Sequence, residues 1–250
     1  MLGRKVINLK DVESTNSYAQ KLAQADYPEG TVVFSEKQTK GRGRQGRSWL
    51  SLEGKGLYMS AILRPPFDAQ EAQILTPLSA AAVCMALRNL GFKAMVKWPN
   101  DIYISGKKVS GILTETTLSA NKIAYAVVGI GINLNHTKKD FPLELQQKST
   151  SLRMEKGFPA KRRQVADKLI FNFNMLYDEL IKSGHINSSI KICNEYSFLK
   201  GKIVTIKNQG CTITGLARKI NSNGSLSIKK KDGEIKEVVS GELNKTISSI

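Results

Sequence analysis

The sequence predicts an α+β fold: a mixed β-sheet with helices packed on one side, followed by a small C-terminal SH3-like β-barrel. The first observation is a set of apolar and β-branched runs typical of buried strands, at residues 31–34, 57–63 and 123–134. The second is helical spacing of apolar residues, at residues 15–26, 70–90 and 161–182. The third is a change, after residue 200, to short strands separated by turns. We therefore predict a large domain at residues 1–197 and a small one at residues 198–250.

The first helix is preceded by three residues of the types that cap helices. Ser14, Thr15 and Asn16 lie at the start of the helix predicted at residues 15–26, just before its apolar residues begin at Tyr18, so an N-cap is expected here. The same hydroxyl and amide groups would also suit a polar, neutral ligand group such as a urea. Both interpretations stay open at this point of the sequence.

The long helix predicted at residues 70–90 has an Ala-rich apolar face, and Pro77 either kinks it or marks a late start. Further along, Gly129 and Gly131 lie on one face of the strand at residues 123–134. Glycine weakens a strand unless something must approach the backbone closely. A ligand, a β-bulge and tight packing against a helix are all consistent with the two glycines.

A hairpin with a two-residue turn at residues 105–106 is predicted from residues 101–113. In the expected register Ile104 faces Lys107, Tyr103 faces Lys108 and Asp101 faces Ser110. Because side chains alternate along a strand, one face then carries Asp101, Tyr103, Lys108 and Ser110. The other face carries the core residues Ile102, Ile104, Val109 and Leu113. Asp101 and Lys108 are thus diagonal neighbours that can touch one ligand.

The following part of the chain is predicted to contain a polar loop at residues 136–151 and two helices, at residues 161–182 and 186–198. Neither histidine has a partner nearby in the sequence. We therefore predict that His136 and His185 lie on the surface and take no part in catalysis.

Composition restricts the class of partner. The formal net charge is +17 at pH 7, which implies an anionic partner such as nucleic acid, an acidic protein or a nucleotide. The three cysteines, Cys84, Cys193 and Cys211, show neither zinc spacing nor a disulfide framework. No apolar run reaches the length of a membrane span or a signal peptide. A cytoplasmic protein without a membrane partner is expected.

One stretch combines glycine and positive charge without an apolar side chain to bury: Gly41-Arg42-Gly43-Arg44-Gln45-Gly46-Arg47, followed by Ser48-Trp49. We call residues 41–49 the arginine loop. Glycines let backbone N–H groups approach an anion, and guanidinium groups bind carboxylate or phosphate oxygens in pairs. A loop ordered by its ligand is expected. This run alone supports a small-molecule phosphate site no more than it supports a solvated surface loop or a non-specific nucleic-acid patch.

Five segments, in this order and spacing, resemble those of biotin protein ligase: Glu13-Ser14-Thr15-Asn16; Gln38 with the arginine loop; Lys97-Trp98-Pro99-Asn100-Asp101; Lys108 with Gly111-Ile112-Leu113; and Gly129-Ile130-Gly131-Ile132-Asn133. The resemblance extends from about residue 8 to the end of the chain. It implies a catalytic domain similar to class II aminoacyl-tRNA synthetases. Because the motifs begin within the first 16 residues, we expect the monofunctional class without a DNA-binding domain, and hence no specific DNA partner.

The resemblance implies a two-step reaction with ATP and Mg²⁺, in which biotin is activated as biotinyl-5′-AMP. The biotinyl group is then transferred to a lysine of a carboxylase's biotin carboxyl carrier domain. The biotin-binding residues implied are Ser14, Thr15, Asn16, Gln38, Gly41, Arg42, Gly43, Lys108 and Gly111. The ATP-binding residues implied are Arg44, Arg47, Trp49, Lys108, Gly131 and Asn133. No dedicated metal site is expected, with Mg²⁺ carried by ATP and in reach of Asp101 or Asn133.

The expected catalytic groups are Lys108, Arg42, Arg44 and Asp101. By resemblance Lys108 contacts the biotin carboxylate and the α-phosphate, and Trp49 stacks on adenine. Asp101, on the same hairpin face as Lys108, either orients and deprotonates the acceptor lysine or pairs with Lys108 or magnesium.

Two other functions are considered. A lipoate or octanoate ligase or transferase has a similar fold, although the arginine loop before Trp49 favours biotin. A basic nucleic-acid-binding protein would explain the net charge, but it does not require residues 97–101 or 129–133. The resemblance leaves a monomer and a homodimer both open.

Overall fold

The computed structural model describes residues 1–208 and 211–248, so residues 209–210 and 249–250 of the predicted small domain lie outside the described residues. Its strands are β1 (Lys5–Val12), β2 (Thr31–Gln38), β3 (Gly56–Leu63), β4 (Met95–Lys97), β5 (Asp101–Ile104), β6 (Lys107–Ser119), β7 (Lys122–Asn133), β8 (Lys202–Asn208), β9 (Cys211–Ile220), β10 (Leu226–Lys229), β11 (Ile235–Val238) and β12 (Glu242–Ser248). Its α-helices are α1 (Thr15–Gln24), α2 (Leu75–Asn89), α3 (Leu143–Gln146), α4 (Leu152–Lys156), α5 (Arg162–Ser183) and α6 (Asn187–Glu195).

The larger sheet has the strand order β1-β2-β3-β7-β6-β5-β4. β1 and β2 are parallel, and the other neighbouring pairs are antiparallel. The sheet is therefore mixed, and the predicted α+β class is confirmed. No helix in the described part of the chain is long and apolar enough to cross a membrane.

Most of the helical mass covers one face of this sheet. α2 and α5 pack together over a core that includes Met59 of β3 and Ile130 of β7. α2 begins two residues before Pro77, so the proline marks a late start, after a short 3-10 helix at Ala69–Ile74. The small helix α1 lies on the opposite face, where Ala19 packs with other buried apolar residues of the strands. The site described below shares that face with α1.

The smaller sheet is antiparallel, with the order β11-β10-β9-β8-β12. Strand β12 was not predicted, because its sequence is polar and lacks an apolar or β-branched run. The buried residues of this sheet, such as Ile206 and Leu226, belong to the same core as the larger sheet. Trp98 Nε1 also donates to Gly224 O at 3.0 Å across the junction. The division at residues 197 and 198 stays a prediction.

The hairpin register is right near the turn and wrong at its far end. Ile104 pairs with Lys107 and Tyr103 with Lys108, but a bulge then shifts the register, and Asp101 pairs with Gly111. A bulge inserts one residue and reverses the faces beyond it. Ser110 is consequently fully buried, and Leu113 lines the cavity described below instead of the core.

The prediction for His136 is also wrong. Its imidazole is fully buried and stacks on Phe141 with ring centroids 5.1 Å apart, whereas His185 is exposed as expected. The polar sequence around His136 obscured its burial. Burial lowers the pKa of His136 from 6.5 to about 4, because desolvation disfavours the imidazolium.

Candidate functional site

A cavity of about 360 Å³ lies between the arginine loop and the larger sheet, within the range typical of ligand pockets. Fourteen of the fifteen predicted site residues line it: Ser14, Thr15, Asn16, Gln38, Arg42, Gly43, Arg44, Arg47, Trp49, Asp101, Lys108, Gly111, Gly131 and Asn133. Gly41 is the exception. A Cβ there would lie 2.8 Å from Ser51 Oγ, so this glycine serves tight packing at the base of the loop.

The floor of the cavity is built from glycines on neighbouring strands. Gly111 of β6 pairs with Gly131 of β7, and Gly129 lies two residues before Gly131 on the same face. A Cβ at Gly131 would overlap the Trp49 indole, and a Cβ at Gly129 would overlap the Asn16 amide. The missing side chains therefore admit two other side chains of the site.

Trp49 lies across this glycine floor. Its Cζ3 is 3.1 Å from where a Cβ of Gly111 would be, and Lys108 Nζ is 5.3 Å from the centre of its ring. The indole Nε1 is buried without a hydrogen-bond partner among residues 1–208 and 211–248. A flat ring with a free N–H donor thus forms part of the wall.

Neutral polar groups form one end of the cavity. Ser14 caps α1, with its Oγ accepting from Ser17 N, as one of the two interpretations of the sequence expected. The same residue also lines the cavity. Gln38 Oε1 accepts from Thr15 N at 2.8 Å and lies 3.0 Å from Thr15 Oγ1. These groups are held by each other, which fixes their orientation in the absence of charge.

Positive charge collects at the other end. Lys108 Nζ lies 2.6 Å from Asp101 Oδ1, an ion pair without the alignment of a hydrogen bond. Burial lowers the pKa of Arg44 and of Lys97, while the negative charge of Asp101 raises both and so opposes the shift. One carboxylate is therefore surrounded by three cations, and the local excess of positive charge is suited to anions.

The arginine loop is folded over this cationic end. Arg44 Nη1 donates to Asn100 Oδ1 at 3.1 Å, and Arg42 Nη2 forms an ion pair with Glu115 Oε2 at 2.7 Å. Within the loop, Trp49 N donates to Gly41 O at 2.8 Å. The expectation that a ligand orders this loop stays a prediction.

The residues on the cavity wall do not fit a site in which carboxylate groups hold a magnesium ion. Among the described residues of the cavity wall, Asp101 is the only acidic one, and it faces cations. Asn133 is buried at the end of β7, and its Nδ2 donates to Thr150 O at 3.0 Å. The described residues contain no group of three His, Cys, Asp or Glu side chains placed to hold a metal ion.

Several residues that line the cavity were not predicted as site residues. The loop at residues 136–151 supplies Phe141, Leu145, Lys148 and Ser149, and the small sheet supplies Gly241 and Leu243. Lys108 N donates to Lys148 O at 2.9 Å, so this loop supports the lysine backbone. No sequence signal marked that contact. Lys97 lay within one of the five family segments and Tyr103 on the predicted hairpin face, and Lys97 Nζ donates to Tyr103 Oη at 2.8 Å.

Residues 9–133, which include nearly all of these groups, match the Biotin/lipoate A/B protein ligase family. The chain belongs to this family. It is 36% identical to the bifunctional ligase/repressor BirA of Bacillus spizizenii, over 97% of this chain and 74% of that protein. It is also 36% identical to the biotin--[acetyl-CoA-carboxylase] ligase of Paracoccus denitrificans, over 50% of this chain and 53% of that protein.

The fold leads to the same family. The biotin protein ligase of Aquifex aeolicus, solved in complex with biotin and ATP, superposes with a TM-score of 0.82 and 32% identity. The match covers 98% of this chain and 100% of that one. The resemblance to biotin protein ligase drawn from the sequence motifs is thus confirmed. The assignment to the monofunctional class stays a prediction.

Proposed function

We propose that this family member uses ATP to activate biotin and then joins biotin to a lysine of an acceptor protein. The observation that carries the proposal is a single cavity with two chemically different ends. One end presents neutral hydroxyl and amide groups, and the other presents Lys108, Arg44 and Lys97 around Asp101. Biotin has the matching polarity, with a neutral ureido ring and an anionic carboxylate.

At the neutral end, Ser14, Thr15, Asn16 and Gln38 would bind the ureido ring. These side chains supply both donors and acceptors, as a urea requires. Gly111 would admit the bicycle beside its backbone, and Gly41 and Gly43 shape the loop that covers it. The mutual hydrogen bonds of Thr15 and Gln38 support this role, because they hold the groups in place before a ligand binds.

At the cationic end, biotin's carboxylate would meet the α-phosphate of ATP. A carboxylate oxygen forms a bond to the α-phosphorus, and the bond from that phosphorus to the bridging oxygen breaks, releasing pyrophosphate. Lys108 and Arg44 would stabilise the charge that two approaching anions create. Trp49, Gly131 and Asn133 would bind the nucleotide together with Arg47, and Mg²⁺ would enter as MgATP, held by phosphate oxygens.

In the second step, the neutral amine of an acceptor lysine would attack the carbonyl carbon of biotinyl-5′-AMP. The bond from that carbon to the phosphate oxygen breaks, AMP leaves, and the proton lost by the amine passes to solvent water. Asp101 contacts Lys108. This contact supports a role in holding Lys108 in place more than a role as the base that takes a proton from the acceptor lysine. Closure of the arginine loop would keep water from the anhydride.

The acceptor is proposed to be the biotin carboxyl carrier domain of a carboxylase. The Paracoccus denitrificans relative, whose name includes acetyl-CoA carboxylase, supports this choice. The excess of positive charge favours an acidic partner surface.

Exchange of labelled pyrophosphate into ATP tests the first step. We expect exchange with biotin, no exchange without it, and none with lipoate in its place. Exchange that depends on lipoate would assign the chain to the other branch of the family. Binding to DNA that falls steeply with salt, together with no exchange, would favour the nucleic-acid-binding alternative.

A further inference from the structure

One carboxylate oxygen joins the arginine loop to helix α1. Glu115 Oε2 accepts from Arg42 Nη2 at 2.7 Å and from Asn16 Nδ2 at 2.8 Å. Asn16 Nδ2 also donates to Leu113 O at 3.2 Å. Glu115 lies on β6, four residues beyond Gly111, and none of the sequence motifs assigned it a role.

The carboxylate, together with Leu113 O, fixes which way the Asn16 amide points. An ionised carboxylate only accepts hydrogen bonds, so the NH₂ group of Asn16 must face Glu115. Asn16 Oδ1 then faces Ser60 Oγ at 2.6 Å, and this hydroxyl lies 2.8 Å from Thr15 Oγ1. Because Ser60 has one hydroxyl proton, its donation to Asn16 leaves Thr15 to act as donor towards Ser60 or Gln38.

The same chain of contacts continues to the far end of the loop. Gln38 accepts from Thr15 N, and its Nε2 donates to Ser51 Oγ at 2.8 Å. Ser51 Oγ donates in turn to Trp49 O at 3.1 Å. A continuous hydrogen-bonded path therefore starts at Arg42, passes under the cavity and ends at Trp49.

We infer that Glu115 is a positioning residue that couples the biotin end of the cavity to the arginine loop. It sets the direction of the hydrogen bonds on the cavity wall and holds Arg42 at the same oxygen. This inference rests on the proposed function. It deepens that function by assigning a residue that controls how biotin binding and loop order depend on each other.

The contact between Glu115 and Asn16 contributes more to biotin affinity than the ion pair between Glu115 and Arg42 does. The Arg42 side chain is 40% exposed, and an ion pair at that exposure changes an equilibrium by at most about fivefold, which is enough to alter the order of the loop but not to account for the larger change in biotin affinity. Asn16, by contrast, is buried, and without Glu115 its NH₂ group keeps only the longer contact of 3.2 Å to Leu113 O, so the amide is held less firmly. Removing Glu115 therefore affects biotin binding through Asn16 and loop order through Arg42.

Two readouts on the full chain test the inference. Calorimetry measures the Kd for biotin, and trypsin cleavage after Arg42, Arg44 and Arg47 measures order in the loop. We expect biotin to slow this cleavage in the wild type. In Glu115→Ala we expect the Kd for biotin to rise about tenfold, as for loss of a hydrogen bond to a charged group. Protection at saturating biotin should fall below half of the wild-type value.

Glu115→Gln and Glu13→Ala complete the design. Glutamine retains an acceptor for Asn16 but not the charge, so the Kd should rise about threefold, while protection at saturating biotin should again fall below half of the wild-type value. Glu13 is a matched control, since it pairs with Lys40 at the base of the loop and both side chains are largely exposed. Its variant should keep the wild-type Kd and protection.

The outcomes separate the two proposals. If wild-type protein does not bind biotin, the proposed function fails. If wild-type protein binds biotin and Glu115→Ala keeps its Kd within twofold and its full protection, the inference about Glu115 is overturned alone. Should Glu115→Ala not fold, the loss of protection in Glu115→Gln decides.

Discussion

Lys108 and Asp101 form the ion pair at the centre of the cationic end, with Nζ and Oδ1 2.6 Å apart. The two residues lie on neighbouring strands, β6 and β5, on either side of the bulge. Both strands are part of a hydrogen-bonded sheet, and Lys108 is also held by the backbone of residue 148. The lysine is thus fixed before a substrate binds, which is the arrangement that electrostatic catalysis requires.

Replacing this lysine should abolish most of the adenylation. We expect Lys108→Ala to lower biotin-dependent ATP–pyrophosphate exchange by about 100-fold to 1,000-fold, the loss typical for one preorganised charged or donor group. Lys107→Ala is the matched control, because Lys107 is the preceding residue and does not line the cavity. A loss below tenfold in Lys108→Ala would contradict the role proposed for it.

Asp101→Asn separates the two roles considered for this carboxylate. Without the negative charge Lys108 loses its partner, and a displacement of about 1 Å in a catalytic group can cost on the order of 100-fold. We therefore expect adenylate formation, and transfer from preformed biotinyl-5′-AMP in a single turnover, to fall by similar factors. A fall in transfer alone would show instead that Asp101 acts on the acceptor lysine.

The sequence predicted those parts of the fold that depend on local patterns. Apolar runs and helical spacing located β2, β3, β7, α1, α2 and α5 to within a few residues. The patterns of glycine and charged residues indicated the site, because the residue types that bind anions or allow close packing differ from the apolar types that form a core. The family motifs added the order in which these segments occur.

What the sequence did not predict depends on tertiary structure. The bulge that places Gly111 opposite Asp101 is a shift of one residue, and no residue near it distinguishes the two registers. Glu115 lies beyond the predicted hairpin of residues 101–113, and only the folded structure brings Arg42 and Asn16 to it. His136 is polar, and its burial against Phe141 depends on tertiary packing that no local pattern indicates.

The glycine floor predicts a graded series of alanine variants. In Gly131→Ala the new Cβ would overlap the Trp49 indole, whereas in Gly111→Ala it would lie 3.1 Å from Trp49 Cζ3 and 3.3 Å from Lys108 Nζ. We expect Gly131→Ala to raise the KM for ATP more than Gly111→Ala does. Overpacking of this kind costs about 1–3 kcal/mol, which is about fivefold to 150-fold if all of it falls on binding. Equal KM values in exchange assays would exclude this role for the floor.

The buried imidazole of His136 should make the stability of the protein depend on pH. This effect does not involve the candidate site. Its pKa is lowered from 6.5 to about 4 in the folded protein, so between these values the unfolded chain binds the proton and the folded chain does not. The free energy of unfolding should therefore fall as pH drops from 6.5 to 4, by at most about 3 kcal/mol. Urea denaturation across this range measures the slope.

His136→Phe removes the titrating group and keeps a ring against Phe141. We expect its stability to vary less with pH between 6.5 and 4 than that of the wild type, with His185→Gln as the exposed control. Asp140 contributes in a separate range, because its pKa is lowered from 3.8 to about 2, and the stability it supplies is lost only as pH falls from 3.8 to 2. Parallel curves for His136→Phe and the wild type above pH 4 would show that the imidazole is protonated in the folded protein as readily as in the unfolded chain.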